Sequence, residues 1–473
     1  MSCSDLDTSK PDFPDRYNLI DSKTPPLTKL SGKFKRSFAY HTLNERIPVI
    51  LTQLIDNLYK GVDEIAQEVS DEEEVKQAVR NEIKEAVGSL SRFKYKLQTN
   101  KPLELFDENR EKDDLDVFVW NNFIRKLPED ESTFYFTCWL YAECYVYRRL
   151  RQFFENFKIL GSFDYFHKQK FDALKSSLKP LSDILVITRF SDLSVKEKEI
   201  NFHKFLRVDL WGNRNDLSIS LGKAVESKED NIFEVVESYD PFILSDDSMR
   251  VWEHLAIEFE GERIVDFVLD NVGMELVSDF LLADFLLEQK LCTKVRFHVK
   301  VMPWFISDVT ATDFDETIKE MSKVPGVLSD FADKLQRYLK EDKLLLMPKT
   351  LFWTWPYEFY EMQKVDEKLY STLQESYLVI FKGDLNYRKL LGDFLWDFTE
   401  DFGKCLKGFL PSSVCSLRTI KADLVCGLEP GVAEKLDAQN PKWMYAGEYG
   451  VIQFQDLKFE DKSLHETMEK EEK

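Results

Sequence analysis

Arg263-Ile-Val-Asp-Phe-Val-Leu-Asp-Asn271, continuing as Val272-Gly-Met-Glu275, is the stretch that decides the fold. Its body reads as a buried strand over 264–269 and ends on two oxygen donors, Asp270 and Asn271. Gly273 marks a turn, and the apolar run from Met274 to about Gln289 has the length of a helix. A second strand is expected over Lys294 to Lys300, then Met302-Pro303-Trp304 and a third donor, Asp308. Strand, helix, strand with acids where the strands end is the βαβ layout, which puts a site at the carboxyl edge of a sheet.

Working outward, further strands are expected at 343–348, 377–382, 420–426 and 450–454, with helices at 247–258, 312–321, 326–339 and 362–375. Strands alternating with helices predict a three-layer α/β/α sandwich with a mainly parallel sheet over 201–456. Residues 34–200 read as an all-helical subdomain. There Leu43, Ile47, Ile50, Leu51, Leu54, Ile55 and Leu58 recur at helical spacing, with Pro48 tolerable only near a helix start or kink. Charges of both signs between Asp63 and Leu90 mark one or two solvent-faced helices. The aromatic run from Phe134 to Phe154 carries Arg148, Arg149 and Arg151; pairing of Arg151 with Glu155 explains that cluster better than an anion site does. Residues 228–247 read as a surface connection, and the proline-rich 1–33 as an irregular arm.

Hydrophobic residues make up 43% of the 473, with 37 Phe, so the chain can bury a large core. No apolar run reaches the roughly 18 residues a spanning helix needs, and the N-terminus lacks the pattern of a secretory signal. A net charge of −21 disfavours nucleic acid as the main partner. Cys3, Cys138, Cys144, Cys292, Cys405, Cys415 and Cys426 form no Cys-x-x-Cys pair, which points to buried thiols in a reducing compartment: the cytoplasm, with the nucleus included.

The chemistry rests on where the acids fall. Asp270 and Asn271 at one strand end, Glu275 in the first helical turn and Asp308 in the next crossover gather negative charge that a hard divalent cation would offset. Taken singly, Asp270 and Asp308 could each be helix caps. Lys382-Gly-Asp-Leu-Asn-Tyr-Arg388 follows another strand: Gly383 permits a tight turn, Asp384 or Asn386 can face the metal or a hydroxyl, and Arg388 can fork onto phosphate. Arg418 and Lys421 share a site only if a turn separates them, and Lys421 is the better point charge for phosphate. Either Asp384 or Glu275 can take a proton from water. Asn213, Asn215, Asp216 and Ser218 either cap a helix or hold substrate hydroxyls. Together these groups imply metal-assisted phosphoryl hydrolysis. Asp313-Phe-Asp-Glu-Thr317 matches an aspartyl-nucleophile pattern but lacks the buried strand that motif requires immediately before it.

Several long stretches resemble the DUF89 damage-control phosphatases, in particular the eukaryotic acidic residue methyltransferase 1 subgroup. They are Asp266-Phe-Val-Leu-Asp-Asn-Val-Gly-Met-Glu-Leu276, Pro303-Trp-Phe-Ile-Ser-Asp-Val-Thr310, Phe381-Lys-Gly-Asp-Leu-Asn-Tyr-Arg-Lys-Leu390 and Leu417-Arg-Thr-Ile-Lys-Ala-Asp423, joined by the segments around Tyr147 and Leu210. The resemblance implies the α/β/α sandwich with an added helical subdomain. It also implies a manganese-, cobalt- or nickel-supported phosphatase of small sugar phosphates such as fructose 1-phosphate and fructose 6-phosphate; magnesium suits the same donors. By resemblance the metal ligands correspond to Asp270, Asn271 and Asp308. Substrate contacts correspond to Asp270, Asn271, Asp384, Leu385, Asn386, Tyr387, Arg388 and Lys421, and the catalytic set to Asp270, Asn271, Asp308, Asp384 and Lys421. Glu275 and Asp308 correspond to a claimed S-adenosylmethionine site. That alternative, methylation of protein glutamate side chains, has no glycine-rich cofactor loop after the first strand to support it.

Overall fold

The computed structural model describes residues 17–188, 193–214 and 232–457. Its centre is a sheet of strands β1 (Ile243–Asp246), β2 (Ile264–Val268), β3 (Lys294–His298), β4 (Leu344–Leu346), β5 (Leu378–Lys382), β6 (Ser413–Thr419) and β7 (Gly450–Gln455). Their spatial order is β1-β7-β6-β5-β2-β3-β4, and every pairing is parallel except β6 with β7. β2 and β5 are buried at every position and are apolar apart from Asp266, held by Arg296, and Lys382, held by Asp209 and Asp279.

Alternation along the strands divides the core by sheet face. Leu378 and Ile380 of β5 join Val265 and Phe267 in one apolar cluster, which includes helices His167–Ile187, Val195–Trp211, Met274–Glu288, Ala311–Ser322 and Val327–Lys340. Val379 and Phe381 join Val268 in a second cluster, which continues into helices Ile47–Lys60, Glu73–Gln98, Leu115–Arg125 and Trp139–Glu155. An N-terminal helical subdomain is thus followed by an α/β/α sandwich with a largely parallel sheet, as the patterning predicts. Helix Met274–Glu288 is apolar nearly all round because it lies between the sheet and helices Val195–Trp211 and His167–Ile187.

Two strand expectations are corrected. The strand placed at 420–426 is the fully buried Ser413–Thr419; Ile420, Ala422, Leu424, Val425 and Cys426 are equally buried, but as loop packed into the core. Residues 228–247 include β1, a short edge strand whose pairing with β7 is broken by a bulge between Ile243 and Ser245. Glu155 pairs with Arg110 and Arg148 rather than Arg151, whose guanidinium donates to the Gly161 carbonyl. Pro48 falls at the start of helix Ile47–Lys60, directly after a π-helical turn over Thr42–Arg46. Cys138, Cys144, Cys292, Cys405, Cys415 and Cys426 are free and buried. No helix among the described residues is long and apolar enough to cross a membrane.

Candidate active site

The carboxyl ends of β3, β2, β5 and β6 lie side by side, so the residues following them share one edge of the sheet. Behind β2 come Asp270 and Asn271. The loop behind β3 delivers Asp308 beside them: Asn271 and Asp308 form a bridge, Val309 N–H donates to the Asp270 carbonyl at 2.8 Å, and Val272 N–H to the Ser307 carbonyl at 2.8 Å. That loop holds Phe305 and Ile306 at φ of 40° and 73°, a left-handed pair of non-glycine residues directly before the bridge. Tyr147 of the helical subdomain stacks on Phe305 with ring centroids 4.5 Å apart.

Asp270 is buried and accepts at Oδ2 from Asn213 Nδ2 at 2.9 Å and from Asn271 Nδ2 at 2.6 Å. Asn271 Nδ2 also donates to Glu275 Oε2 at 2.9 Å, while Ser307 Oγ donates to Asn271 Oδ1. Asp308 Oδ2 is buried without a well-formed hydrogen bond among the described residues. Lys300 Nζ stands 3.2 Å away, off hydrogen-bond geometry, and acts on it chiefly as a charge. Burial drives the Asp270 carboxyl well above the usual carboxylate range, and the neighbouring Glu275 and Asp308 add to the effect. Burial likewise pushes Asp308 up to about 6, even with Lys300 holding it down. Two buried carboxylates and an orphaned carboxylate oxygen are the electrostatic condition that a divalent cation relieves.

β5 runs into helix Gly383–Leu391, whose N-cap, Lys382, provides no side-chain cap. The free N–H groups of its first turn therefore open toward Asp270. Asp384 Oδ1 accepts from Arg418 Nε at 2.7 Å and from Lys421 N at 3.1 Å. β6 ends at Thr419, between Arg418 and Lys421, and the Arg418 guanidinium and the Lys421 backbone N–H both converge on Asp384. Lys421 Nζ donates to the Asn213 carbonyl at 2.9 Å and to Asn213 Oδ1. Asn213 thus links Lys421 to Asp270; Asn215, Asp216 and Ser218 lie outside the described residues. Burial pulls the Lys421 ammonium below its usual value, against the pull of Glu275, Asp270 and Asp384.

The remaining expected contacts face elsewhere. Asn386 Nδ2 donates to the Lys382 carbonyl at 2.7 Å, Tyr387 OH donates to Gln453 at 2.8 Å, and Leu385 is buried in the helical-side core. The Arg388 guanidinium holds both oxygens of Asp393, at 2.8 and 3.1 Å, and Glu143 at 2.5 Å, and it lies 3.6 Å over the Trp139 ring. Its fork is engaged within the protein. Glu275 stands between Asn271 and Lys382, and Lys382 is buried with Asp209 at 2.7 Å and Asp279 at 2.9 Å.

Lys300, Asp209 and Asp279 escaped the sequence reading. A lysine flanked by Val299 and Val301 just past a core strand was the readable signal, because a buried ammonium needs an acid nearby.

A second group of metal-type donors comprises His167, Asp313 and Glu316, with ligand atoms within 4.8 Å of one another. Asp313 there completes a capping box with Thr310 and accepts from Lys170 Nζ at 2.5 Å. It starts a helix, and no strand of the sheet immediately precedes it, as expected from its loop context.

Residues 42–436 match the model of the damage-control phosphatase ARMT1-like domain. The chain is 39% identical over 447 residues to damage-control phosphatase ARMT1 of Danio rerio, covering 91% of this chain and 97% of that protein. It is 38% identical over 452 residues to the protein of the same name from Xenopus tropicalis, covering 90% and 98%. The corresponding Homo sapiens protein is 36% identical over 442 residues, again covering 90% and 98%. With this match spanning most of the chain, and metal-type donors grouped on the fold, the chain belongs to the ARMT1-like damage-control phosphatase family and is a metal-dependent phosphatase.

Proposed function

We propose that the chain hydrolyses small sugar phosphates of the fructose 1-phosphate and fructose 6-phosphate type at the edge where β2, β3, β5 and β6 end. The observation that carries this reading is the convergence around Asp270 of Asp308, Lys421 and the uncapped start of helix Gly383–Leu391. Asp270 and Asp308 would hold the divalent ion with the amide oxygen of Asn271. Asp308 Oδ2 makes no hydrogen bond among the described residues although Lys300 stands nearby, which supports that choice over the His167 group, where Asp313 Oδ2 already accepts from Lys170 and Thr310. Manganese, cobalt or nickel held there would polarise the phosphoryl oxygen and lower the pKa of water.

The chain's own groups account for the rest. Lys421 Nζ, now donating to Asn213, is free to turn to a phosphate oxygen when an anion arrives, offsetting charge that grows as the ester bond breaks. N–H groups of Gly383, Asp384 and Leu385 in the first turn meet the same phosphate. This gives the 384–388 segment its substrate role through backbone donors, while Arg388 fixes the helix to the subdomain. The Arg418 guanidinium and the Lys421 backbone N–H both meet Asp384 at Oδ1, which leaves Oδ2 to accept the proton from water. Glu275, donor-bound and set against Lys382, orients Asn271.

A screen of phosphate release from small phosphate esters, each with manganese, cobalt, nickel or magnesium and with a chelated control, tests this reading. Metal-dependent release from sugar monophosphates is expected. No release with any metal, or methyl ester formed on an acidic protein in its place, overturns it.

A further inference from the structure

The helical subdomain sends one unassigned cation toward this opening. Thr42–Arg46 is a π-helical turn, closed by Ile47 N–H on the Thr42 carbonyl. Pro48 accounts for it: the ring lacks an N–H and would clash with the carbonyl four residues back in a regular helix, so the backbone widens by one residue before it. That extra residue re-aims Arg46. Its guanidinium is exposed and lies 5.0 Å from the centre of the Phe38 ring. Phe38 stacks on Tyr445 at 4.2 Å, and its N–H donates to Asp423 Oδ2 at 3.0 Å. Asp423 stands two residues beyond Lys421, whose own stem packs against Gly447, close enough that a Cβ there would stand 3.1 Å from Lys421 Cε. Phe38 therefore touches Arg46 with its ring and the segment bearing Lys421 with its backbone N–H.

The Arg46 charge is felt at Lys421, Glu143 and Tyr147. Among the described residues the Arg46 guanidinium has no carboxylate within ion-pair distance and no hydrogen bond, since Glu45 beside it faces His41 and Glu143 is held by Arg388. Two cations that bear on each other with no acid dedicated to the outer one repel, and an anion between them removes that cost. A guanidinium matches a phosphate dianion in shape as well as charge.

We propose that Arg46 binds the substrate phosphate from the subdomain side of the opening, opposite Lys421, so that the π-helical turn is part of the substrate site. The inference rests on the hydrolase reading above. Arg46 contributes binding that is equal in ground and transition states, which separates it from the groups at the reacting bond.

The test compares wild type, Arg46→Ala and Arg46→Lys, manganese-loaded, in calorimetric titration with inorganic phosphate and in turnover of fructose 6-phosphate. Arg46→Ala is expected to weaken phosphate binding and raise KM together by about tenfold or more, with kcat within about twofold and an unchanged melting temperature. Arg46→Lys should recover part of the loss. Unchanged phosphate affinity in Arg46→Ala overturns the proposal, as does a loss of kcat accompanied by a lowered melting temperature. A wild type that releases no phosphate defeats the hydrolase reading instead, and the phosphate titration still reads Arg46 by itself.

Discussion

A Cβ added to Gly383 would stand 1.9 Å from Asp270 Oδ2, and Gly383 itself sits at φ +80°. Only glycine lets the start of the helix after β5 approach the carboxylate after β2 this closely. Gly383→Ala is predicted to lower turnover at least ~100-fold by displacing Asp270 or the helix start. The strain should also cost about 1–3 kcal/mol of stability. Thermal melting and steady-state turnover measure the two effects; near-normal turnover would show that the approach is not needed.

Asp308→Asn keeps the shape of the site and removes one charge beside Lys300. Metal-dependent phosphate release should fall more than about 100-fold, since an outer partner of a metal ligand alone costs 10–100-fold. Folding by circular dichroism should be retained. Full turnover at saturating manganese would remove Asp308 from the ligand set.

Lys421→Ala should weaken ester binding and turnover by roughly 1.5–3 kcal/mol together, the worth of a charged hydrogen bond. Comparison of kcat/KM with wild type reads it directly, and a negligible change would place the phosphate elsewhere.

Asp313→Asn should spare turnover and lower stability by about 1–3 kcal/mol, because it weakens the capping box and leaves Lys170 with one acid fewer. Loss of turnover in a fully folded variant would assign the chemistry to the His167 group.

Lys389 is buried with its ammonium on the Trp355 carbonyl at 2.6 Å, and burial lowers it from 10.5 to about 8. The unfolded chain holds this proton more tightly than the folded one. The cost of burying the charge is therefore full below pH 8 and is relieved as pH rises from about 8 to 10.5. Lys389→Met should flatten that rise in a denaturant-monitored pH series; an unchanged slope would refute the assignment.

Much of this was legible in the chain because physics left few alternatives. β2 and the Met274 helix are buried almost throughout and largely apolar, so they stand out, while β3 shows as an alternation of Val295 and Phe297 with Lys294, Arg296 and His298. β1 was hidden, since a four-residue, half-exposed edge strand has no pattern to distinguish it from a loop. The apolar run from Ile420 to Cys426 misled for the opposite reason: it is a buried loop next to a true strand. Among site residues, Asp270, Asn271 and Asp308 were readable as oxygen donors at strand ends. The engagement of Arg388 by Asp393 and Glu143 was not readable, because one partner comes from a helix more than two hundred residues away. Asn213 could be singled out, but its link between Lys421 and Asp270 required the folded chain.

The most direct test of the central claim is anomalous diffraction at the manganese edge from crystals grown with the ion. A single strong peak bounded by Asp270, Asn271 and Asp308 is predicted, and it should vanish in Asp308→Asn. A peak among His167, Asp313 and Glu316 with nothing between the three strand-end donors would contradict the account.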